Sequence, residues 1–131
     1  MLVREQAHGS FLVPLPDAEG HLRVTVLACP AGLSSRWTAA VVVSPPGDLC
    51  GLTDRELQIL GLLIEGWPNP RIATALYIST RTVATHVEHI LAKLGAASRT
   101  LAAARALRAG AYIPRSVTIP DDGGTPCPAD R

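Results

Sequence analysis

The stretch STRTVATHVEHILAKL, residues 79–94, restricts the fold of this chain more than any other. Its first residue, Ser79, is a favourable helix N-cap, because the side-chain oxygen can accept a hydrogen bond from a backbone amide one turn later. We predict an amphipathic helix with a polar face left free and an apolar stripe that faces a core. That stripe is formed by Val83, Val87, Ile90, Leu91 and Leu94.

A second, shorter helix is predicted directly before this one. Residues 70–76 have helical apolar spacing, and only residues 77–79 join them to the longer helix. A short helix, a tight turn and a capped helix together indicate a helix-turn-helix, whose second helix enters the DNA major groove by its N-terminal turns. The small residues Ala84 and Thr85 permit a close approach to bases. Helical hairpins also occur in proteins that never touch nucleic acid, so a solvated surface helix is the alternative.

Charge is distributed unevenly along the chain. The net charge is only +1, but residues 52–114 contain seven basic and four acidic residues, whereas each flank is slightly acidic. Basic residues clustered on one module are the electrostatic signature of phosphate binding. No apolar run is long enough to span a bilayer, and no secretory signal is visible, so we expect a cytoplasmic protein without a membrane partner.

Composition and motifs disfavour an enzyme. The chain has 131 residues, 47% of them apolar and 18% charged, which suits globular folding. Its three cysteines are far apart without a C-x-x-C pair, which argues against disulfides and a zinc site. We find no glycine-rich phosphate loop, paired carboxylates or nucleophile–base arrangement, and we expect no metal and no cofactor. His8 and His21 are interpreted as surface residues.

The first part of the chain reads as three β-strands. Apolar residues alternate within residues 11–15, 22–28 and 37–43, with connections predicted at Asp17–Gly20 and Pro30–Ser35. One face is predicted to carry Phe11, Val13 and Leu15, then Leu22, Val24, Val26 and Ala28, then Trp37, Ala39, Val41 and Val43. So few strands bury too little surface to make an independent domain.

Helix signals mark the rest of the chain. Thr53 and Glu56 form a capping box, and Gly66 supplies a left-handed stop. Asn69 is the expected cap of the second helix, and Ser98 of the last helix, which runs to Gly110. The predicted fold class is α+β, with a four-helix helix-turn-helix domain after an antiparallel three-stranded β segment. The predicted divisions are residues 1–46 (β segment), 47–51 (linker), 52–114 (helix-turn-helix domain) and 115–131 (flexible tail).

Residues 52–114 resemble the DNA-binding domain of the LuxR-type (GerE-like) transcription regulators. The resemblance rests on LT-x-RE at residues 52–56, Gly66, Ile72-Ala73, Ser79, Thr82-Val83, His86-Val87, Lys93-Leu94-Gly95 and Ser98-Arg99. It implies four helices, a helix-turn-helix formed by the second and third, and a fourth often used for dimerisation. The N-terminal strands weakly resemble the end of a PAS- or GAF-like sensor domain.

Two departures from the family pattern affect the expected site. Pro68 and Arg71 stand where the second helix usually has a capping box. Ala84 and Glu88 stand where many relatives carry Lys or Arg, so phosphate attraction is weaker on that face. Glu88 could accept from a cytosine amino group, and Thr85 could contact a thymine methyl.

The expected function is that of a sequence-specific transcriptional regulator that binds double-stranded DNA as a homodimer through the last helix. RNA polymerase is considered as a further partner. The base-facing set is Arg81, Thr82, Ala84, Thr85, Glu88 and His89. The phosphate set is Ser79, Thr80, Arg81, Thr82, His86, Lys93 and Arg99, and the dimerisation set is Ala103 and Ala106. Two alternatives are a promoter reader like region 4 of sigma factors, and a sensor or protein-interaction module whose helix-turn-helix no longer binds DNA.

Overall fold

The computed structural model describes residues 8–16, 19–28 and 39–115, and its fold class is α+β. Within these ranges, three strands come first and four helices follow. The strands are β1 (His8–Pro14), β2 (His21–Ala28) and β3 (Ala39–Ser44), and the helices are α1 (Asp54–Ile64), α2 (Asn69–Leu76), α3 (Thr80–Leu94) and α4 (Arg99–Ala109). None of these helices is long and apolar enough to cross a membrane.

Three of the four helices begin at the predicted N-cap residue. Thr53 accepts from the amide of Glu56, whose side chain accepts from the Thr53 amide, so the capping box is present. Ser79 and Ser98 cap α3 and α4 through their hydroxyl oxygens. Gly66 has a φ of 78°, as expected for the residue that ends α1.

The predicted cap of α2 is wrong. Pro68 occupies the N-cap position and Asn69 is already helical, with no side-chain cap hydrogen bond. The Asn69 side chain is used elsewhere, because its Oδ1 accepts from Arg99 over 3.1 Å. The start of α2 is instead supported by Arg71, whose guanidinium lies 3.9 Å from the centroid of the Trp67 ring.

The helices surround one apolar core. Most of its largest fully buried side chains come from α1, α2 and α3, and they include Val83 and Ile90 of the predicted α3 stripe. The segment after α4 also returns to this core, where Ile113 is 1% exposed and its amide donates to the carbonyl of Leu57 over 3.1 Å. Gly61 permits this return, since a Cβ there would lie 1.9 Å from the Ile113 carbonyl oxygen.

The strands form an antiparallel sheet in the order β1-β2-β3. The first and second strands pair Leu12 with Arg23, and the second and third pair Val26 with Val41. The predicted connection at Pro30–Ser35, part of the turn at Asp17–Gly20 and Trp37 lie outside the described residues.

In two strands, the alternating apolar residues are not the ones that reach the core. In β1 the fully buried residue is Leu12, with Phe11, Val13 and Leu15 only half-buried, because the sheet meets the helices through Leu12. In β3 the alternating valines Val41 and Val43 are 63% and 57% exposed.

Arg23 links the sheet to the helices. Its Nη1 donates to the carbonyl of Ala109 at the end of α4, and its Nε donates to the carbonyl of Pro46 over 3.0 Å. A guanidinium at a helix C-terminus is favourable, because the last carbonyls carry partial negative charge. His21 is also at this junction and is buried, with its Nε2 3.5 Å from Asp54 Oδ1, so its interpretation as a surface residue is wrong.

The inner face of α4 is formed by alanines rather than leucines. Ala102 and Ala106 are fully buried against the other helices, whereas Leu101 and Leu107 are 37% and 53% exposed. Close packing of α4 needs small side chains on the inner face, so the leucines point outward. Ala106 is therefore excluded as a surface contact, and Ala103 is half-buried.

Candidate nucleic-acid interface

The exposed face of α3 carries most of the residues predicted to face DNA bases. Ala84 is the exception, because it is half-buried. The core side of the helix is held by Val83 and Val87, so the polar side points away from the protein. The exposed members of the set are Arg81, Thr82, Thr85, Glu88 and His89.

The N-terminal turn of α3 is electropositive. It has no acidic residue, and the helix dipole adds partial positive charge at this end. Within the described residues, the guanidinium of Arg81 has no hydrogen-bond or ion-pair partner. This turn can therefore accept a phosphate group without first losing an internal contact.

Hydroxyl groups order the same turn. Ser79 Oγ accepts from the Thr82 amide over 3.0 Å and lies 2.8 Å from Thr82 Oγ1. Thr85 Oγ1 donates to the carbonyl of Arg81 over 3.2 Å. Both threonine side chains are thus held in defined rotamers on an exposed surface, which reduces the entropy lost when they bind.

Three residues predicted to contact phosphate have partners or burial inside the protein. Lys93 Nζ lies 2.7 Å from Glu56 Oε2, and Arg99 donates to Asn69 Oδ1 and to the Trp67 carbonyl. His86 is half-buried, and its Nδ1 is fully buried. These three side chains therefore have roles within the fold that the sequence did not predict.

Glu56 is the centre of a charged cluster between α1 and α3. Burial by itself raises the pKa of this carboxyl, but hydrogen bonds from Lys93 and from the Thr53 amide, with the charges of Lys93 and His86, leave the pKa below its ordinary value. His89 also approaches, with Nδ1 3.9 Å from Glu56 Oε1. The carboxylate therefore stays ionised although its side chain is only 3% exposed.

Sequence reasoning missed Tyr77 in the turn between α2 and α3. This residue is 96% exposed and has a left-handed backbone with a φ of 55°. Such a conformation is uncommon outside glycine, asparagine and aspartate, so the residue type gave no sign of it. The position of Tyr77 beside the α3 N-terminus makes it a further candidate for contact with a nucleic-acid backbone.

Comparison with known families agrees with this geometry. Residues 51–106 match the family described as "Bacterial regulatory proteins, luxR family" (GerE). The chain carries a LuxR-type domain. The match includes the cap of α1 and the whole helix-turn-helix, and it ends within α4.

Several curated bacterial regulators resemble the LuxR-type domain. They include the DNA-binding transcriptional activator DevR/DosR of Mycobacterium tuberculosis (48% identity over 73 residues, 56% of this chain), the transcriptional regulatory protein LiaR of Bacillus subtilis (49% over 57 residues, 44% of this chain) and the response regulator protein VraR of Staphylococcus aureus (49% over 51 residues, 39% of this chain). The chain covers 33%, 27% and 24% of these relatives, respectively, so the similarity concerns one part of each.

A solved structure of the Vibrio cholerae VqmA dimer, whose description concerns LuxR-type receptors, also resembles the chain. The identity is 20% and the TM-score 0.46, over 86% of this chain and 61% of VqmA. A likeness at this level carries no conclusion about the chain.

Proposed function

We propose that this protein is a sequence-specific DNA-binding transcriptional regulator that inserts α3 into the major groove of double-stranded DNA. The observation that carries the proposal is the polar face of α3. Its first turn combines exposed hydroxyls, no acidic residue and an Arg81 guanidinium that has no partner in the part of the chain that the structure describes. The LuxR-type domain and the regulators that resemble it support the same function.

The proposed contacts follow from exposure and position along α3. Thr85 and Glu88 lie on the outermost face and are assigned to base edges, with Arg81, Thr82 and His89 beside them. Ser79, Thr80, Arg81 and Thr82 surround the helix N-terminus and are assigned to phosphate. Glu88 disfavours phosphate, so its role is base readout or solvation.

Thr85→Glu tests the assigned face. A carboxylate at the centre of the interface would repel DNA, so specific binding in a gel shift with genomic fragments should be lost. The Thr85 side chain is exposed, so the far-ultraviolet circular dichroism and the melting temperature should change little. Thr100→Glu adds the same charge at an exposed position in α4 and should leave binding intact. Retained specific binding in Thr85→Glu would show that another face contacts DNA.

We also propose that the DNA-bound form is a homodimer through α4. Because Ala106 is buried, we assign the proposed contact to the outer face of the helix, where Leu101, Ala104 and Leu107 are exposed beside the half-buried Ala103. Two copies would read two half-sites about one helical turn apart. Leu107→Glu should reduce cooperative binding to paired sites more than binding to a single half-site, whereas equal effects would exclude this interface.

The same gel shift distinguishes the alternative functions. A promoter reader of the sigma region 4 kind would bind specific DNA only when RNA polymerase is added. A protein-interaction module would show no salt-dependent binding to any fragment. The relatives named above are regulators rather than enzymes, which supports a non-enzymatic role. We also propose that residues 47–51 divide the chain and that DNA binding is confined to residues 52–114. The proposed location is the cytoplasm.

A further inference from the structure

Three candidate metal ligands from two helices meet on one side of α3. Glu56 comes from α1, and His86 and His89 come from α3, where a spacing of three residues places both imidazoles on one side. One possible ligand atom from each residue lies within 4.8 Å of those of the other two. Imidazole nitrogens and a carboxylate oxygen are the donors that zinc uses in many three-ligand protein sites.

Glu56 is held in position before any ion binds. Its Oε2 accepts from the Thr53 amide over 3.0 Å and from Lys93 Nζ over 2.7 Å. The opposite oxygen, Oε1, faces His89 Nδ1 at 3.9 Å. Hydrogen bonds to one carboxylate oxygen orient the other, as partners in the outer shell of a metal site do.

The two histidines complement this fixed carboxylate. His86 is half-buried, and its Nδ1 has no hydrogen-bond partner within the described residues, so that nitrogen is not engaged by another protein group. The His89 side chain is 60% exposed and therefore free to adjust its rotamer. Ligand atoms about 2.1 Å from a tetrahedral ion lie roughly 3.4 Å apart, so the cluster must contract by no more than a side-chain adjustment.

We propose that Glu56, His86 and His89 bind a zinc-like divalent cation, with Glu56 Oε1 and one nitrogen of each imidazole as ligands and water in the fourth position. The proposed site uses no cysteine, so it differs from the kind of zinc site against which the cysteine spacing argues. Hard cations such as Mg²⁺ and Ca²⁺ prefer all-oxygen ligands and should bind poorly.

Lys93 gives the site a recognisable property. Its ammonium group shares the Glu56 carboxylate and repels a cation at Oε1, so the wild-type site should be moderate in affinity. Lys93→Met removes this repulsion while the Thr53 amide still orients the carboxylate, so the variant should bind zinc more tightly than the wild type. A merely structural cluster, or binding at an unrelated surface, would not show that increase.

Calorimetric titration of the DNA-free full chain with ZnCl₂, under reducing conditions at neutral pH, tests the proposal. One equivalent of zinc should bind. His89→Ala should weaken zinc binding at least about tenfold, because even the loss of an outer-shell partner of a metal site costs about that much affinity. His89 is exposed, so this variant should keep its fold. Two control variants should bind zinc as the wild type does. Glu88→Gln changes the residue next to His89, and Cys50→Ser removes an exposed thiol.

Visible absorption of bound Co²⁺ provides a second readout. A tetrahedral site gives intense bands that should disappear in His89→Ala and persist in Cys50→Ser. Unchanged zinc affinity in His89→Ala, or loss of binding in Cys50→Ser, would overturn the proposal. Neither measurement involves DNA, so the result is independent of the proposed regulatory function.

Discussion

The backbone amide of Leu12 donates to the carbonyl of Tyr112 over 2.9 Å, which joins the first strand to the segment after the last helix. The side chain of Leu12 is fully buried in the same apolar cluster as Leu57 and Leu60 of α1. The sheet and the helices therefore share part of one core, although the sequence between them reads as a break.

Leu12→Ala should destabilise the helical part of the chain as well as the sheet. Removing a fully buried leucine side chain costs about 2–5 kcal/mol. Urea unfolding followed by helical circular dichroism measures this loss. Val41→Ala, at a position 63% exposed, should change the free energy of unfolding by less than about 0.5 kcal/mol. If Leu12→Ala left the helical transition unchanged, the two parts would not share a core.

Gly61→Ala should destabilise the protein even though alanine favours a helix. The added Cβ would lie 1.9 Å from the Ile113 carbonyl oxygen, and this neighbour is backbone that cannot rotate away. Overpacking costs about 1–3 kcal/mol, which exceeds the gain of up to about 1 kcal/mol from helix propensity. Thermal melting should therefore show a lower midpoint. In Gly9→Ala, where no atom of the described residues lies within 4 Å of the added Cβ, the midpoint should hold or rise.

Lys93→Met should reduce stability at neutral pH and alter its acid dependence. The pKa of Glu56 is lowered in the fold, so its contribution is present above the unfolded-state value of about 4.3 and is lost as pH falls through the folded value. Without Lys93 the pKa should rise, because burial is then opposed only by the hydrogen bond from the Thr53 amide and the charge of His86. The loss at pH 7 should be about 1–3 kcal/mol.

Urea unfolding at pH 7 and at pH 3.5 distinguishes this effect from general damage. The difference between Lys93→Met and the wild type should shrink at the lower pH, where the carboxylate is protonated in the unfolded chain. Lys93→Arg retains the charge and should behave much more like the wild type. A difference that is equal at both pH values would mean that the pair contributes nothing electrostatic.

Arg81→Ala should weaken DNA binding on all sequences and reduce the salt slope by about one, as expected for one lost phosphate contact. Arg55→Ala removes a cation from α1 that is already bonded to Gln58, and it should leave the slope unchanged. Lys93 belongs to the same predicted phosphate set as Arg81. Because Lys93 is already paired with Glu56, we expect its loss to change the salt slope less than the loss of Arg81 does. Loss confined to one base position would make Arg81 a base reader.

Local signals in the sequence determined the helical part of the fold. Thr53, Ser79 and Ser98 satisfy amides within their own first turns, and the apolar stripe of α3 is set by spacing along one helix. Such interactions join residues only a few positions apart, so they can be read without knowing the tertiary structure. The polar face of α3 followed directly from the same periodicity.

The tertiary structure decided which groups meet across elements. Lys93 and Glu56 are 37 positions apart, and only the packing of α3 on α1 turns a predicted phosphate contact into an ion pair. Likewise, α4 buries Ala102 and exposes Leu107 because close helix packing favours the smaller side chain, although hydrophobicity alone predicts the opposite. Leu12 enters the core for the same reason: its environment is built by α1 and the segment after α4, which no local pattern in β1 records.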